Sequence, residues 1–81
     1  MTSFLVEGYL ARASENEPAL SAERARRAAA ELGSSVRYVR SIFLPEDETC
    51  FHIFEGSSAD AVGEVSTRAH IAYERIVEVR E

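Results

Sequence analysis

Hydrophobic and polar residues alternate along much of this chain, with the period of two that is typical of β-strands. The pattern predicts strands over residues 3–9, 36–44 and 73–80. Another strand, the third in chain order, is predicted over residues 50–55, after an acidic turn that begins at Pro45. In the last strand, we expect Val77 and Val79 to face the core.

A helical period replaces this alternation after the first strand. The predicted helix extends from Ser21, its N-cap, to residue 32, and Gly33 provides a left-handed end. The polar stretch before it, residues 12–19, is predicted to be a loop. The buried stripe of the helix consists of small or aliphatic side chains: Ala25, Ala28, Ala29 and Leu32.

A second helix is predicted after Gly56, which ends the third strand. Either Ser57 or Ser58 can cap this helix. We expect His70 in its last turn, where a cation interacts favourably with the helix dipole. The buried stripe is formed by Val62, Val65 and Ala69.

The order of the predicted elements, βαββαβ, favours a ferredoxin-like α+β sandwich. In this architecture a four-stranded antiparallel sheet carries two helices on one face. With 81 residues, the chain is expected to form a single domain, residues 1–81.

The third strand places Cys50 and His52 between large apolar residues. If Phe51 and Ile53 face the core, then Cys50 and His52 lie together on the face that no helix covers. The first and third strands are central in this fold, so Glu7 is expected nearby.

The register of the hairpin depends on the length of its loop. A loop of residues 46–47 places Ser41 opposite His52, whereas a loop of residues 46–48 places Ile42 there. We favour the longer loop because it turns the large apolar residues of the second strand toward the helices.

The predicted uncovered face is about half apolar, which is more than a fully solvated surface requires. We therefore expect a homodimer that stacks two such faces and leaves a cavity between them. The residues assigned to this face are Leu5, Glu7, Tyr9, Tyr38, Arg40, Ile42, Cys50, His52, Phe54, Ile76 and Glu78.

Composition narrows the possible partners. The net charge of −5 argues against nucleic acid. Cys50 is the only cysteine, so no disulfide forms within the chain, and a reducing compartment is expected. No stretch has the length of a membrane span or the apolar run of a signal peptide. These features favour a cytoplasmic protein without a membrane partner.

One hypothesis makes His52, Cys50 and Glu7 ligands of a divalent transition metal. Imidazole suits nickel, copper and zinc, and a thiolate adds affinity for softer ions. The further ligands must come from other strands or a second subunit. The alternative is structural: Cys50 as a small buried hydrophobe and His52 as a hydrogen-bonded sheet residue.

A second hypothesis is a small cofactor-independent enzyme or a carrier of an organic ligand. His52 then acts as acid or base, and Tyr38, Arg40 or Glu7 orients the ligand in the cavity. An ion pair between Arg40 and Glu7 is the structural alternative. The sequence contains no phosphate-binding glycine loop or nucleophile elbow.

The run VRYVRSIFLPEDETCFHIFEGSSADAV, followed by RIVEV, resembles a small bacterial family of nickel-binding, ferredoxin-like proteins. The resemblance implies a dimeric ferredoxin-like fold and, in some members, nickel binding with a role in storage or homeostasis. The second helix departs from the family pattern E-H-A-x-R-A-G. Val65 stands at the position of the histidine, and His70 at that of the glycine.

Overall fold

The chain folds into a four-stranded antiparallel sheet with two α-helices, in the order βαββαβ. The computed structural model describes residues 1–10 and 16–80. The spatial order of the strands is β2-β3-β1-β4, which confirms the ferredoxin-like fold. The elements are β1 (Thr2–Tyr9), α1 (Glu17–Glu31), β2 (Val36–Leu44), β3 (Thr49–Gly56), α2 (Ala59–Arg68) and β4 (Tyr73–Val79).

The core lies between one face of the sheet and both helices. The small alanines of α1 allow the helix to approach the sheet closely, and the predicted stripes of both helices are confirmed. No helix in the described ranges is long and apolar enough to cross a membrane. The buried cluster consists of Phe4, Val6, Ala25, Ala28, Ala29, Val36, Phe54, Val62, Val65 and Ala69.

Helix α1 begins earlier than predicted. Asn16 is its N-cap, Pro18 lies in its first turn, and Ser21 is a buried residue of the helix rather than its cap. Proline is favoured at this end because the first backbone N–H groups have no partner within the helix. Residues 17–19 are therefore helical and not a loop, and residues 12–15 of that prediction lie outside the described residues.

The ends of the helices otherwise follow the sequence signals. Gly33 has a left-handed φ of 69°, as predicted. Ser58 caps α2, because its Oγ accepts a hydrogen bond from the backbone N–H of Ala61 at 3.1 Å. This geometry selects Ser58 over Ser57 as the cap.

The predicted faces of β3 are wrong. Cys50, His52 and Phe54 face the helices and are at most 3% exposed, whereas Phe51 and Ile53 lie on the other side. Both faces of this strand carry apolar side chains, so the alternation does not show which face is buried. Burial of the imidazole is possible because polar partners from α1 and β2 reach it.

The favoured hairpin register is wrong as well, because Ser41 lies opposite His52. Glu48 adopts a left-handed φ of 50°, and its N–H donates to the carbonyl of Pro45 at 3.2 Å, which closes the turn. A β-bulge between Tyr38 and Arg40 then shifts the pairing by one residue. A bulge of this kind reverses the faces of the residues beyond it.

Strand β4 is also reversed relative to the prediction. Ile76 pairs with Val6 and packs against the core, whereas Val77 pairs with Leu5 on the uncovered side. Val79 lies on the same side as Val77. Apolar residues lie on both faces of β4, and its pairing with β1 becomes irregular after residue 7. The hydrophobic pattern therefore does not show which face of β4 is buried.

The sheet surface opposite the helices is here called the open face. Leu5, Glu7, Tyr9, Arg40 and Ile42 were assigned to it correctly. Tyr38, Cys50, His52, Phe54, Ile76 and Glu78 instead belong to the helix-covered face. The apolar residues of the open face are Leu5, Tyr9, Ile42, Leu44, Phe51, Ile53, Val77 and Val79.

A pair of phenylalanine substitutions tests this assignment of faces. We expect Phe54→Ala to lower the free energy of unfolding by about 3–5 kcal/mol, because the side chain is fully buried. Phe51→Ala, on the open face, should cost roughly 1–2 kcal/mol. Urea unfolding at one low protein concentration measures both, and a larger loss for Phe51→Ala would show that the faces are reversed.

Candidate functional site

A small cavity of about 100 Å³ lies between α1, the adjoining ends of β1 and β3, and the link from α2 to β4. It brings a thiol, two imidazoles, a guanidinium and a hydroxyl to one place. The lining includes Gly8, Ser21, Arg24, Cys50, His52 and His70.

The cavity depends on a glycine in β1. Gly8 lies opposite Cys50 in the sheet. A Cβ atom at residue 8 would lie 2.7 Å from the carbonyl oxygen of Ala72, closer than non-bonded atoms approach. Glycine therefore allows the α2–β4 link to cross the end of β1 and form one wall of the cavity.

His52 connects β3 to β2 and to α1. Its Nδ1 lies 2.6 Å from Ser41 Oγ, and its Nε2 lies 3.1 Å from Ser21 Oγ. Ser41 Oγ also lies 2.9 Å from the hydroxyl of Tyr38. Since both ring nitrogens have partners, a side chain that is only 1% exposed has no unsatisfied polar atom.

The hydroxyl partners of His52 accommodate both neutral tautomers. A neutral imidazole donates from one ring nitrogen and accepts at the other. When Ser41 donates to Nδ1, the Nε2–H donates to Ser21. When Nδ1–H donates to Ser41, the lone pair of Nε2 accepts from Ser21 and faces the thiol of Cys50. In the second arrangement, this lone pair is directed toward groups that line the cavity.

Cys50 and His52 are two residues apart on β3, so their side chains share a face. The distance from Cys50 Sγ to His52 Nε2 is 3.5 Å. The sequence prediction that these two groups lie together is therefore correct, although they lie beneath the helices and not on the open face.

The two groups are uncharged near neutral pH. Burial, together with the positive charge of Arg24, lowers the pKa of His52 from 6.5 to about 4. Burial raises the pKa of the Cys50 thiol. Each shift favours the neutral form because a low-dielectric environment solvates the charged form poorly. The result is a neutral thiol beside a neutral imidazole.

Arg24 contributes charge to the cavity and also joins the two helices. Its Nε donates to the carbonyl of Ala69 at 2.8 Å, and its Nη2 lies 3.0 Å from Glu17 Oε1. Glu17 also lines the cavity, so its carboxylate offsets the charge of the guanidinium. The cavity therefore carries little net charge from this pair.

His70 lies just beyond α2, which ends at Arg68. The N–H of Ile71 donates to the carbonyl of Ser66, and that of His70 donates to Thr67, both at 3.0 Å. These two bonds form a Schellman motif, with His70 at its left-handed position. The prediction that His70 belongs to the last turn of the helix is therefore wrong, because the helix ends two residues earlier.

The predicted ligand set of Glu7, Cys50 and His52 is not brought together. Glu7 lies on the open face, where its carboxylate accepts a hydrogen bond from Arg75 Nε at 2.5 Å. The ion pair of Glu7 with Arg40, the structural alternative considered above, is not formed either, because Glu7 pairs with Arg75. The sheet separates Glu7 from the other two groups because alternate residues of a strand point to opposite sides.

Tyr38 and Arg40 are likewise separated, and they do not share a cavity. Tyr38 belongs to the helix-covered face, where its ring packs edge-on against Phe54 with centroids 5.8 Å apart. Arg40 lies opposite Ile53 on the open face. The bulge between them accounts for the difference, because it adds one residue without changing the partner strand.

Sequence reasoning missed Ser21, Arg24 and Ser41 as residues of the site. Ser21 is in phase with Ala25 and Ala28 on the buried stripe of α1, and a polar residue there signals a buried partner. Assigning Ser21 as an N-cap concealed this signal. Gly8 was a second signal, because glycine within a strand often marks a close approach of another segment.

The chemistry of the cavity suits a metal ion only in part. Among the described residues, no three His, Cys, Asp or Glu side chains already stand close enough together to hold one. Cys50 and His52 form a two-donor arrangement, one sulfur and one nitrogen. Such a pair matches the preference of the borderline divalent transition metals.

The depressed pKa of His52 predicts a particular loss of stability in acid. The unfolded chain binds a proton near pH 6.5, whereas the folded chain resists protonation until about pH 4. We therefore expect the free energy of unfolding to fall by about 3 kcal/mol as the pH decreases from about 6.5 toward 4. Urea unfolding in metal-free buffer at several pH values measures this loss.

His52→Gln is the matched control, since glutamine retains hydrogen-bonding groups without titrating. Ionised carboxylates contribute equally to both proteins, so the difference between the two curves isolates the imidazole. Parallel curves for the two proteins would contradict the assignment of a neutral, buried His52.

Comparisons with known proteins place this fold in a family. No curated protein matches the chain. The crystal structure of SCO4226 from Streptomyces coelicolor A3(2) has a similar fold, with a TM-score of 0.81 and 22% sequence identity. The match covers 98% of this chain and 96% of that chain. The family model described as nickel responsive protein SCO4226-like matches residues 4–79. The chain therefore belongs to the SCO4226-like family of nickel responsive proteins.

Proposed function

We propose that the protein binds a divalent transition metal, with nickel the first candidate, at Cys50 and His52. The observation that carries this proposal is the 3.5 Å distance between Cys50 Sγ and His52 Nε2. In a tetrahedral zinc site, bonds of about 2.3 Å to sulfur and about 2.0–2.1 Å to nitrogen hold two donors about 3.5 Å apart. The two donors already stand at the separation that a shared ion requires, and the ion would take the place of the Ser21 hydroxyl at Nε2.

The protonation of Cys50 and His52 also affects metal binding. His52 is neutral near neutral pH, which is the form that coordinates a metal. Cys50 must lose its proton, and burial opposes that loss. The charge of the bound ion offsets this penalty, since a coordinated thiol is deprotonated. Binding therefore releases a proton to solvent.

The size of the cavity favours an ion over an organic molecule. Sites for organic ligands usually enclose about 300–1,000 Å³. The space beside Cys50 and His52 is about 100 Å³, which is enough for an ion with a few waters. An organic ligand is accordingly the weaker candidate for this cavity. The family description, nickel responsive, supports nickel as the first metal to test.

We also propose that the protein is a homodimer through the open face. Several of its apolar side chains are well exposed: Tyr9 is 56%, Ile42 41%, Leu44 40% and Val77 36% exposed. A contiguous apolar surface of this kind is typical of an interface. The ion pairs Arg37–Glu55 and Arg75–Glu7 lie on the same side of the sheet and suit the polar parts of that interface.

The metal proposal predicts different effects for residues on the two faces of the sheet. Calorimetric titration of tag-free protein with nickel(II) should show micromolar or tighter binding. Cys50→Ala should weaken it by about 10- to 100-fold or more, because a direct ligand contributes at least as much as an outer partner. Glu7→Gln should bind like the wild type, since Glu7 lies on the opposite face.

These two variants also decide between locations for the site. Cys50→Ala removes only a sulfur atom, so urea unfolding can verify that it remains folded. If Glu7→Gln loses nickel and Cys50→Ala retains it, the site belongs to the open face. Absence of binding by the wild type would refute the proposed function itself.

The dimer proposal is tested by sedimentation velocity at micromolar concentration. The wild type should sediment as a dimer, and Ile42→Lys should shift it to a monomer by placing a charge within the interface. Leu20→Lys is the matched control, because Leu20 is a 52% exposed apolar residue of α1, away from the open face. A monomeric wild type, or equal effects of the two substitutions, would contradict this interface.

A further inference from the structure

His70 occupies a position that ordinarily favours glycine. Its φ of 57° is left-handed, and it is the C′ residue of the Schellman motif that ends α2. A residue with a Cβ is disfavoured there, whereas glycine adopts the conformation freely. Within the described part of the chain, its imidazole has no hydrogen-bond partner that would offset this strain.

The strained residue lines the same cavity as Cys50 and His52. Three side chains with soft or borderline donor atoms therefore line one cavity: Cys50 and His52 from β3, and His70 from the α2–β4 link. We propose that His70 is the third metal ligand of this site, which gives one sulfur and two nitrogen donors. This inference rests on the proposed function, because it assigns a further ligand to the same ion.

The backbone that carries His70 is held firmly on both sides. Arg24 Nε donates to the carbonyl of Ala69, and the N–H of Ile71 donates to Ser66 at 3.0 Å. The absent side chain of Gly8 allows this segment to lie against β1. The Cα of His70 is thereby fixed at the edge of the cavity.

The side chain of His70, in contrast, is exposed. No three donors already stand at coordinating distances among the described residues, so coordination requires its imidazole to turn inward. Rotation about the side-chain torsions of an exposed residue is fast and nearly free of steric cost. Two donors on β3 are thus preformed, and the third closes over the ion.

The donor set defines the class of metal. One thiolate and two imidazoles suit nickel, copper and zinc, and they disfavour magnesium and calcium, which prefer oxygen ligands. The pair Arg24–Glu17 adds little net charge at the edge. The thiolate is then the only net negative ligand, so the site favours a divalent ion over a trivalent one.

His70→Gly separates this role from a structural one. In metal-free buffer, glycine should raise the folding equilibrium constant by about fivefold, because it relieves the left-handed strain. Calorimetric titration with nickel(II) should show affinity lower by about a hundredfold, since a direct ligand is lost. A residue that served only the helix end would not produce these opposite changes in stability and affinity.

His70→Asn is the matched control for strain, because asparagine tolerates the left-handed conformation and retains a polar side chain. It should bind nickel as poorly as His70→Gly if the imidazole is the ligand. Wild-type affinity in both variants would overturn the assignment of His70 and leave the proposed function intact. Failure of the wild type to bind nickel, or of Cys50→Ala to weaken it, would overturn both.

Discussion

The hydrogen bonding of buried His52 is the constraint on which the rest of the structure depends. An unsatisfied polar group in the core costs about 1–3 kcal/mol, and the imidazole has two ring nitrogens that need partners. Ser41 satisfies Nδ1 only when it lies opposite His52, which requires the observed hairpin register. Ser21 satisfies Nε2 only when its turn of α1 faces the sheet. One side chain thus links the register of β2, the face of β3 and the placement of α1.

The same arrangement explains why the candidate site is buried and uncharged. Hydroxyl partners stabilise a neutral imidazole, whereas a carboxylate partner would have favoured imidazolium. Arg24 beside the cavity acts in the same direction, and its pairing with Glu17 limits its effect on a bound cation. Arg24 also bonds to the carbonyl of Ala69 at the end of α2, so the residue that lines the cavity also joins the two helices.

The sequence predicted the element order, the sheet and both helical stripes, because the hydrophobic period is a local signal. It did not predict which face of β3 is buried. Phe51 and Ile53 are as hydrophobic as Phe54, so hydrophobicity alone favoured the wrong face. The decisive features were non-local: a bulge after Tyr38 and a hydroxyl from α1. The pairing of Cys50 with His52 was predictable because it follows from strand geometry alone, whereas their surroundings were not.

The proposed site has two buried donors on a strand and one exposed donor on a loop. Cys50 and His52 lie on a central strand whose side chains cannot move without disturbing the core. His70 stands on a fixed backbone, but its side chain is free to turn. A site formed entirely by buried donors would bind and release an ion slowly, since the core must open each time. A single exposed donor at the edge allows exchange without unfolding. The left-handed strain at His70 is then the stability that the chain forgoes for this arrangement, consistent with strain being concentrated at functional positions.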